Sequence, residues 1–147
     1  MSRPEVALLS VHLLATVYMT GLIWFVQLVH YPLFAAVGDD NFVAYQRRHM
    51  ARSTWAVGPA MLIEVLTAIW LFLDPVAHRT PPALGVGLVG VAWISTWCLQ
   101  VPLHRKLLHG FDHAAAVKLV RTNWVRTFAW SARSFIAVWM LVEAGTP

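Results

Sequence analysis

Three histidines lie beside long apolar segments of this 147-residue chain and could together bind a metal ion. His30 and His104 each follow such a segment, and His49 lies between the first and second segments. Imidazole binds iron, copper and zinc well, although histidines at helix ends can also simply lie at a membrane interface. No compact ligand motif such as His-Glu-x-x-His is present, so the hypothesis requires the fold to bring the three residues together.

Glu64 and Arg133 are charged residues inside otherwise apolar segments, which makes them candidates for proton transfer or anion binding. Trp55 precedes Glu64 by nine residues, and Trp124 precedes Arg133 by the same number. An unpaired charge at the centre of a bilayer costs at least about 2.5–3.5 kcal/mol, so we expect the two side chains to pair. The pair is either a structural lock between helices or a working part of a site, and the sequence leaves both interpretations open.

A polar stripe with helical spacing runs along the segment that carries Arg133. Its members are Asn123, Arg126, Thr127, Trp130 and Arg133. The planar guanidinium of Arg126 could bind a carboxylate or propionate through two hydrogen bonds, or it could extend toward lipid phosphates. We take Glu64, Arg133, Arg126 and Asn123 as the candidate catalytic residues.

Two amides and two tryptophans are candidates for contacting a cofactor. Gln27 and Gln100 each precede a candidate histidine ligand by three or four residues, where a neutral amide could orient the ligand. Trp97 and Trp130, together with Trp93, lie nearer the middle of their segments than the other tryptophans do. They could flank a flat ring system, although packing is the commoner role.

The elements that must position these residues are apolar helices. The chain is 59% hydrophobic and 12% charged, whereas charged residues make up about 25% of a typical soluble domain. A soluble helix bundle would need charged outer stripes, which these segments lack. The sequence predicts an all-α integral membrane four-helix bundle in a single domain spanning residues 1–147. Its predicted spans, each about 20 residues long, are Val6–Val29, Trp55–Leu73, Pro82–Val101 and Trp124–Val142.

The segments show signs of internal duplication. The residues from Trp24 to His30 resemble those from Trp97 to His104, because each stretch has tryptophan, then glutamine, then histidine at close spacing. We predict two duplicated helical hairpins related by a pseudo-twofold axis along the membrane normal, with chance similarity between tryptophan-rich segments as the alternative. Such an axis would bring His30 and His104 face to face. The repeats cover roughly residues 6–73 and 82–144.

The basic residues predict the orientation of the bundle. Seven lie in the two longer loops and two on the other side, which favours cytoplasmic loops and both termini on the non-cytoplasmic side, in a bacterial inner membrane. Phe42–Ser53 is predicted to form a separate interfacial helix, and a short basic helix is expected before the last span. The lipid bilayer is therefore the expected partner, with possible homo-oligomers and no nucleic acid.

The first apolar segment begins Leu-Ser-Val-His at Leu9, with His12 near its start, and the second begins Gly-Pro-Ala-Met at Gly58. Over the first half of the chain these features resemble small four-helix membrane proteins of the protoporphyrinogen oxidase and copper-resistance-D type. The chain also resembles uncharacterised four-helix bacterial membrane proteins. The resemblance to the oxidase implies that His12 is a haem ligand. His12 and His30 are separated by about 27 Å of helix, so they cannot bind the same metal ion.

Two classes of function remain open. The first is an oxidoreductase that depends on haem or on histidine-bound iron or copper and acts on a lipophilic or amphipathic substrate from the bilayer. In it, Arg126 or Arg133 would bind an acidic group and Glu64 would relay protons. The second is a non-catalytic small transporter, or an assembly protein or subunit of a membrane complex, in which Glu64 and Arg133 form a gate or a structural lock.

Overall fold

Four helical rods account for nearly all of the structure, a computed structural model that describes residues 2–145. Helix α3 runs through a π-helical turn directly into α4, so these two helices form a single rod. No strand occurs within residues 2–145, which agrees with the predicted all-α class. The helices are α1 (Arg3–Phe25), α2 (Asp39–Leu73), α3 (Thr80–Ser95), α4 (Val101–Leu107) and α5 (His113–Gly145).

Helix α2 corrects one prediction about the loops. Phe42–Ser53 does not form a separate interfacial helix, because it is the first third of a continuous helix of 35 residues. Likewise, the basic segment before the last span is continuous with it in α5, which is 33 residues long. Neither predicted boundary contains a glycine or proline that would end a helix. Each helix therefore carries its loop-proximal side chains into the bundle on a rigid rod.

Helices α1 and α3 both end in a π-helical turn. These turns are Val26–His30 and Thr96–Gln100, and each contains a buried glutamine. Such turns are rare and often lie at functional sites. Their matching positions agree with the similarity seen between the two stretches of sequence, while the duplication of whole hairpins stays a prediction. After the first π-turn, Pro32–Ala36 forms a 3₁₀ helix that leads into α2.

Helix α5 packs against both α1 and α3 and supplies much of the buried centre of the bundle. Trp130 of α5 is fully buried among Met19, Met61 and Ala92. A second cluster around Phe34, which is also fully buried, closes the end of the bundle at which the two longer loops lie. We call this end the histidine end, because His30, His49 and His104 lie there.

The outer surface of the bundle is apolar. Large side chains such as Leu14, Leu66, Ile94, Phe128 and Phe135 are more than 60% exposed. Among the described residues, three stretches of helix are long and apolar enough to cross a membrane, which is compatible with an integral membrane protein. The fourth rod, α5, carries two buried arginines and is not among them. The three stretches are Arg3–Ala36, Asp39–Leu73 and Thr80–Leu107.

Candidate functional site

The three candidate metal ligands come together at the histidine end of the bundle. The Nε2 atom of His30 lies 2.7 Å from Nδ1 of His49, so one ring donates a hydrogen bond to the other. The ring centroids of His49 and His104 are 5.0 Å apart. His49 of α2 therefore bridges the other two, which extend from the ends of the first and third apolar segments.

Hydrogen bonds from a neighbouring amide fix the protonation of His104. The side-chain nitrogen of Gln46 lies 2.9 Å from Nδ1 of His104 and 3.2 Å from its carbonyl oxygen. An amide nitrogen can only donate, so Nδ1 accepts and the neutral ring carries its proton on Nε2. That nitrogen lies 2.9 Å from the hydroxyl oxygen of Tyr31. His104 therefore donates to Tyr31.

The hydroxyl group of Tyr31 is the centre of this arrangement. Its oxygen accepts from His104 and also interacts with the guanidinium of Arg126. His104 places a hydrogen atom on that oxygen, and the positive charge of Arg126 lies close to it, so the hydroxyl proton of Tyr31 is left to point elsewhere. Tyr31 is 5% exposed and lines a cavity inside the bundle. A group in this cavity could receive that proton.

The cavity next to Tyr31 lies beside a groove on the surface of the bundle. The inner cavity has a volume of about 170 Å³, and its walls include His49, His104 and Arg126. A larger outer groove of about 450 Å³ lies between α1 and α2. The two share several lining residues, among them Leu22 and Val57. The inner cavity and the groove on the side of the bundle are therefore neighbouring spaces with a common wall.

Arg126 is buried in the wall of the inner cavity. Its Nε donates to the side-chain oxygen of Asn123 at 3.0 Å, and its Nη1 donates to the Thr96 hydroxyl at 3.3 Å. Its guanidinium carbon lies 5.7 Å from the ring centroid of Trp130. No carboxylate pairs with Arg126 anywhere in the described part of the chain. The sequence-predicted Asn123 therefore serves as a neutral support for this cation.

The predicted ion pair between Glu64 and Arg133 is confirmed. The Nε of Arg133 donates to one carboxylate oxygen of Glu64 at 2.9 Å, and Nε1 of Trp130 donates to the other at 2.8 Å. Arg133 also donates to the carbonyl oxygen of Gly85. Both charged side chains are almost completely buried. This pair joins α2, α3 and α5, and neither of its members lines the inner cavity.

His12 lies away from the histidine end. Its Nδ1 is 2.8 Å from the hydroxyl oxygen of Thr67, and the residue is 2% exposed. It is near enough to Arg133 for the two to interact electrostatically. The structure thus assigns His12 to the middle of the bundle, beside the ion pair, and does not bring it to the other histidines.

The remaining candidates for contacting a cofactor lie outside the histidine site, except Trp130. Trp97 is 59% exposed and is on the outer surface of the bundle, so it does not flank a buried ring system. Gln27 accepts a hydrogen bond of 2.8 Å from Asn123, and Gln100 donates one of 2.9 Å to Thr122. Both glutamines support α5 and do not hydrogen-bond to the histidines.

The arrangement of the histidines does not itself form a metal centre. No group of three or more His, Cys, Asp or Glu side chains in residues 2–145 has a geometry that could hold a metal ion. The 2.7 Å between His30 Nε2 and His49 Nδ1 is a hydrogen-bond distance. Two nitrogen ligands of a tetrahedral ion lie about 3.3 Å apart when each bond is about 2.0 Å long. A metal would require these rings to rotate.

Two residues of the site were missed by the sequence analysis. Tyr31 directly follows His30, and Gln46 precedes His49 by three residues, which is about one helical turn. Helical spacing around the histidines could have identified both residues. The sequence analysis gave a functional role to neither residue.

Comparison with known proteins found no matching family model, no similar curated protein and no similar solved structure. The likeness of the first apolar segment to the oxidase and copper-resistance families stays a prediction, as does a haem on His12. The function must therefore be argued from the site itself.

Proposed function

We propose that this protein is an integral membrane enzyme that transfers a proton to or from a lipophilic substrate at Tyr31. The observation that supports the proposal most strongly is the hydroxyl group of Tyr31, which accepts a hydrogen bond from His104 beside a cavity that adjoins the outer groove. Substrates of this kind dissolve in the bilayer. The outer groove between α1 and α2 would admit them without passage through water.

The chemistry follows from the donors around Tyr31. When the hydroxyl gives its proton to a substrate, negative charge develops on the tyrosine oxygen. His104 Nε2–H already donates to that oxygen and would stabilise the charge, as fixed donors do in oxyanion holes. The nearby positive charge of Arg126 would act in the same direction. A well-placed acid or base of this type contributes about 10²–10⁴-fold to a rate. In the reverse direction, the same oxygen would accept a proton.

The test compares cells that express the wild-type protein, Tyr31→Phe or Tyr18→Phe. Tyr18 is exposed and donates to the Ala56 carbonyl away from the histidines, so its variant is a matched control. Mass spectrometry of the lipid-soluble fraction should show one compound consumed and another formed with the wild type and Tyr18→Phe. With Tyr31→Phe the conversion should fall at least about 100-fold. If all three proteins give the same profile, Tyr31 is not catalytic.

A second candidate is an oxidoreductase that depends on haem or on histidine-bound iron or copper. The specific observation in its favour is that His30, His49 and His104 meet in one cluster. Rotation of the rings would turn their nitrogen atoms toward a common point, where a bound metal would supply redox chemistry. Neutral Gln46 would still orient His104.

Absorbance spectra of the oxidised and dithionite-reduced protein, together with elemental analysis, test this candidate. A Soret band would indicate haem, and stoichiometric iron or copper without that band would favour the histidine cluster. His49→Ala should abolish the metal, whereas replacement of the exposed His109 should not. Folded protein from cells supplied with iron and copper that shows neither signal would refute the oxidoreductase candidate. Absence of substrate conversion as well would favour the transporter or assembly protein, with Glu64 and Arg133 as its lock.

The proposed enzyme lies in a bacterial inner membrane with the histidine end at the cytoplasmic side. The support for this placement is the excess of basic residues in the two longer loops. Single cysteines at Gly38 and Arg79, introduced into Cys98→Ala protein, test it. A membrane-impermeant thiol reagent applied from outside the cytoplasm should label position 79 and leave position 38 unlabelled. The opposite pattern would invert the orientation.

A further inference from the structure

We propose that the substrate of the inner cavity is a single-tailed lipophilic carboxylate whose anionic head pairs with Arg126. This inference rests on the proposed function, because it assigns the chemical class of the molecule that enters through the outer groove. Its basis is a charge imbalance inside the bundle, the sizes of the two neighbouring cavities and the absence of acidic residues from their walls.

The buried charges of the described residues do not balance. Glu64 is the one buried carboxylate, and Arg126 and Arg133 are two buried guanidiniums. Glu64 is already used by Arg133 in an ion pair of 2.9 Å. Arg126 is left with neutral neighbours only: it donates to the amide of Asn123 and the hydroxyl of Thr96, and it lies near Tyr31 and the Trp130 ring. A buried cation without a counter-ion is strongly unfavourable, so a bound anion would stabilise this arrangement.

Arg126 also has hydrogen-bonding capacity to spare. A guanidinium has five N–H donors in a planar fork, and two of its three nitrogens have the acceptors described above. The side chain lines the inner cavity and is 8% exposed, so its remaining donors have space beside them. Arginine matches a carboxylate through two parallel hydrogen bonds. Tyr31 lies beside the same guanidinium, so a bound carboxylate would place its carbon chain next to the proposed acid.

The charged residues around the outer groove and the inner cavity favour an anionic ligand in both spaces. Neither the inner cavity nor the outer groove is lined by any aspartate or glutamate of residues 2–145. Exposed Arg48 and Arg52 lie on the wall of the outer groove, one helical turn apart on α2. They would attract a negative head group from the interface before it reaches Arg126.

The sizes of the two spaces favour one tail. The inner cavity of about 170 Å³ is close to the roughly 150 Å³ of an engineered cavity that binds benzene in another protein. It therefore holds a compact head and the first few carbons. The outer groove of about 450 Å³ has apolar walls such as Leu22, Phe25 and Val57. It accommodates the rest of a single chain between α1 and α2.

The test measures binding to the full-length protein in nanodiscs of zwitterionic lipid. The probes are a fluorescent C18 carboxylate and its uncharged methyl ester. Wild-type protein should bind the carboxylate about 10- to 100-fold more tightly, the factor expected for hydrogen bonds to a charged group. Arg126→Gln should remove this preference and Arg126→Lys should restore part of it. Arg121→Gln is the matched control, because Arg121 is exposed on the same helix.

The possible outcomes distinguish failure of the carboxylate ligand from failure of the proposed function. Equal binding of carboxylate and ester by the wild type, a result that needs no variant to fold, would overturn the anion and leave the lipophilic site intact. If Val57→Trp, which fills the space shared by groove and cavity, leaves binding of both probes unchanged, both proposals fail. Displacement of the probe by butyrate at equal concentration would indicate a free small anion. Displacement by anionic phospholipid would indicate a bilayer lipid, and either result overturns the single-tailed ligand.

Discussion

Arg126 and Arg133 lie two helical turns apart on the same buried stripe of α5, yet they have opposite environments. We call Arg133 closed, because it donates to Glu64 and to the carbonyl oxygen of Gly85 and lines neither the inner cavity nor the outer groove. Its Nη2 has no hydrogen-bond partner among the described residues. Arg126 is open: its neighbours are neutral and a cavity lies beside it. The comparison separates a charge that holds helices together from a charge available to a ligand, although the sequence presents both as arginines in an apolar helix.

Breaking the closed pair should have the largest effect on stability. Glu64→Gln leaves the Arg133 guanidinium buried without a negative partner, which costs about 3–5 kcal/mol when a buried pair loses one member. The free energy of unfolding in mixed micelles measures this loss. Asp74→Asn, at the exposed end of the same helix, should change it little.

A double variant provides the decisive control for the closed pair. Glu64→Leu combined with Arg133→Met removes both charges and should recover most of the lost stability, because apolar replacements of a buried pair are often neutral. A double variant as unstable as Glu64→Gln would show that the polar contacts to Trp130 and Gly85 matter more than the pair itself.

Trp130 connects the two regions, and its replacement should have the next largest effect. It donates to Glu64 and lies against the guanidinium of Arg126. Trp130→Phe keeps a ring but leaves a buried carboxylate oxygen without its donor, at a cost of about 1–3 kcal/mol. We expect a loss of unfolding free energy in that range, together with weaker binding of the carboxylate probe. Unchanged binding would indicate that the two regions are independent.

The open arginine should behave in the opposite way. Arg126→Met removes a buried charge that has no counter-ion, so we expect the free energy of unfolding to stay the same or to rise by about 1 kcal/mol. Arg133→Met should lower it by several times that amount. The two variants are matched in chemistry and helix, and unfolding under identical conditions compares them directly. Equal losses would contradict the distinction between an open and a closed arginine.

Some of this organisation could be predicted from sequence. The matched spacing of Glu64 and Arg133 after a tryptophan correctly indicated a pair, since charges at equal depth in an apolar bundle have few other partners. The similar ends of two segments predicted that His30 and His104 would face each other; the structure brings both to the same end of the bundle, where each contacts His49. Both predictions depend on depth along a helix, which a count of residues gives well.

Predictions that depend on rotation around a helix were less successful. Trp97 was expected inside the bundle but lies within the π-helical turn Thr96–Gln100 and faces outward. A π-turn holds more residues than an α-turn, so it shifts the faces that α-helical spacing predicts. The open state of Arg126 could not be predicted either. It depends on the pairing of Glu64 with Arg133 and not with Arg126, which is a property of the folded bundle.

An exposed ion pair completes the comparison and should show the smallest effect. Asp112 accepts hydrogen bonds from Lys106 at 2.6 Å and from the backbone N–H of Ala115 at 2.8 Å, in the loop before α5. These contacts, with that to Lys106 the largest, hold the pKa of Asp112 below its usual value of 3.8. A lowered carboxyl pKa stabilises the folded state above the unfolded pKa, and this contribution disappears as pH falls through the folded pKa.

Asp112→Asn should therefore be slightly less stable than the wild type at pH 7, and the difference should be smaller at pH 3 and in 1 M salt. Thermal unfolding at both pH values measures it. The loss should be far smaller than that of Glu64→Gln, although both variants break an ion pair, because water solvates the charge left at Lys106 and cannot reach Arg133. If the two losses were alike, burial would not be what distinguishes the closed arginine from an ordinary surface pair.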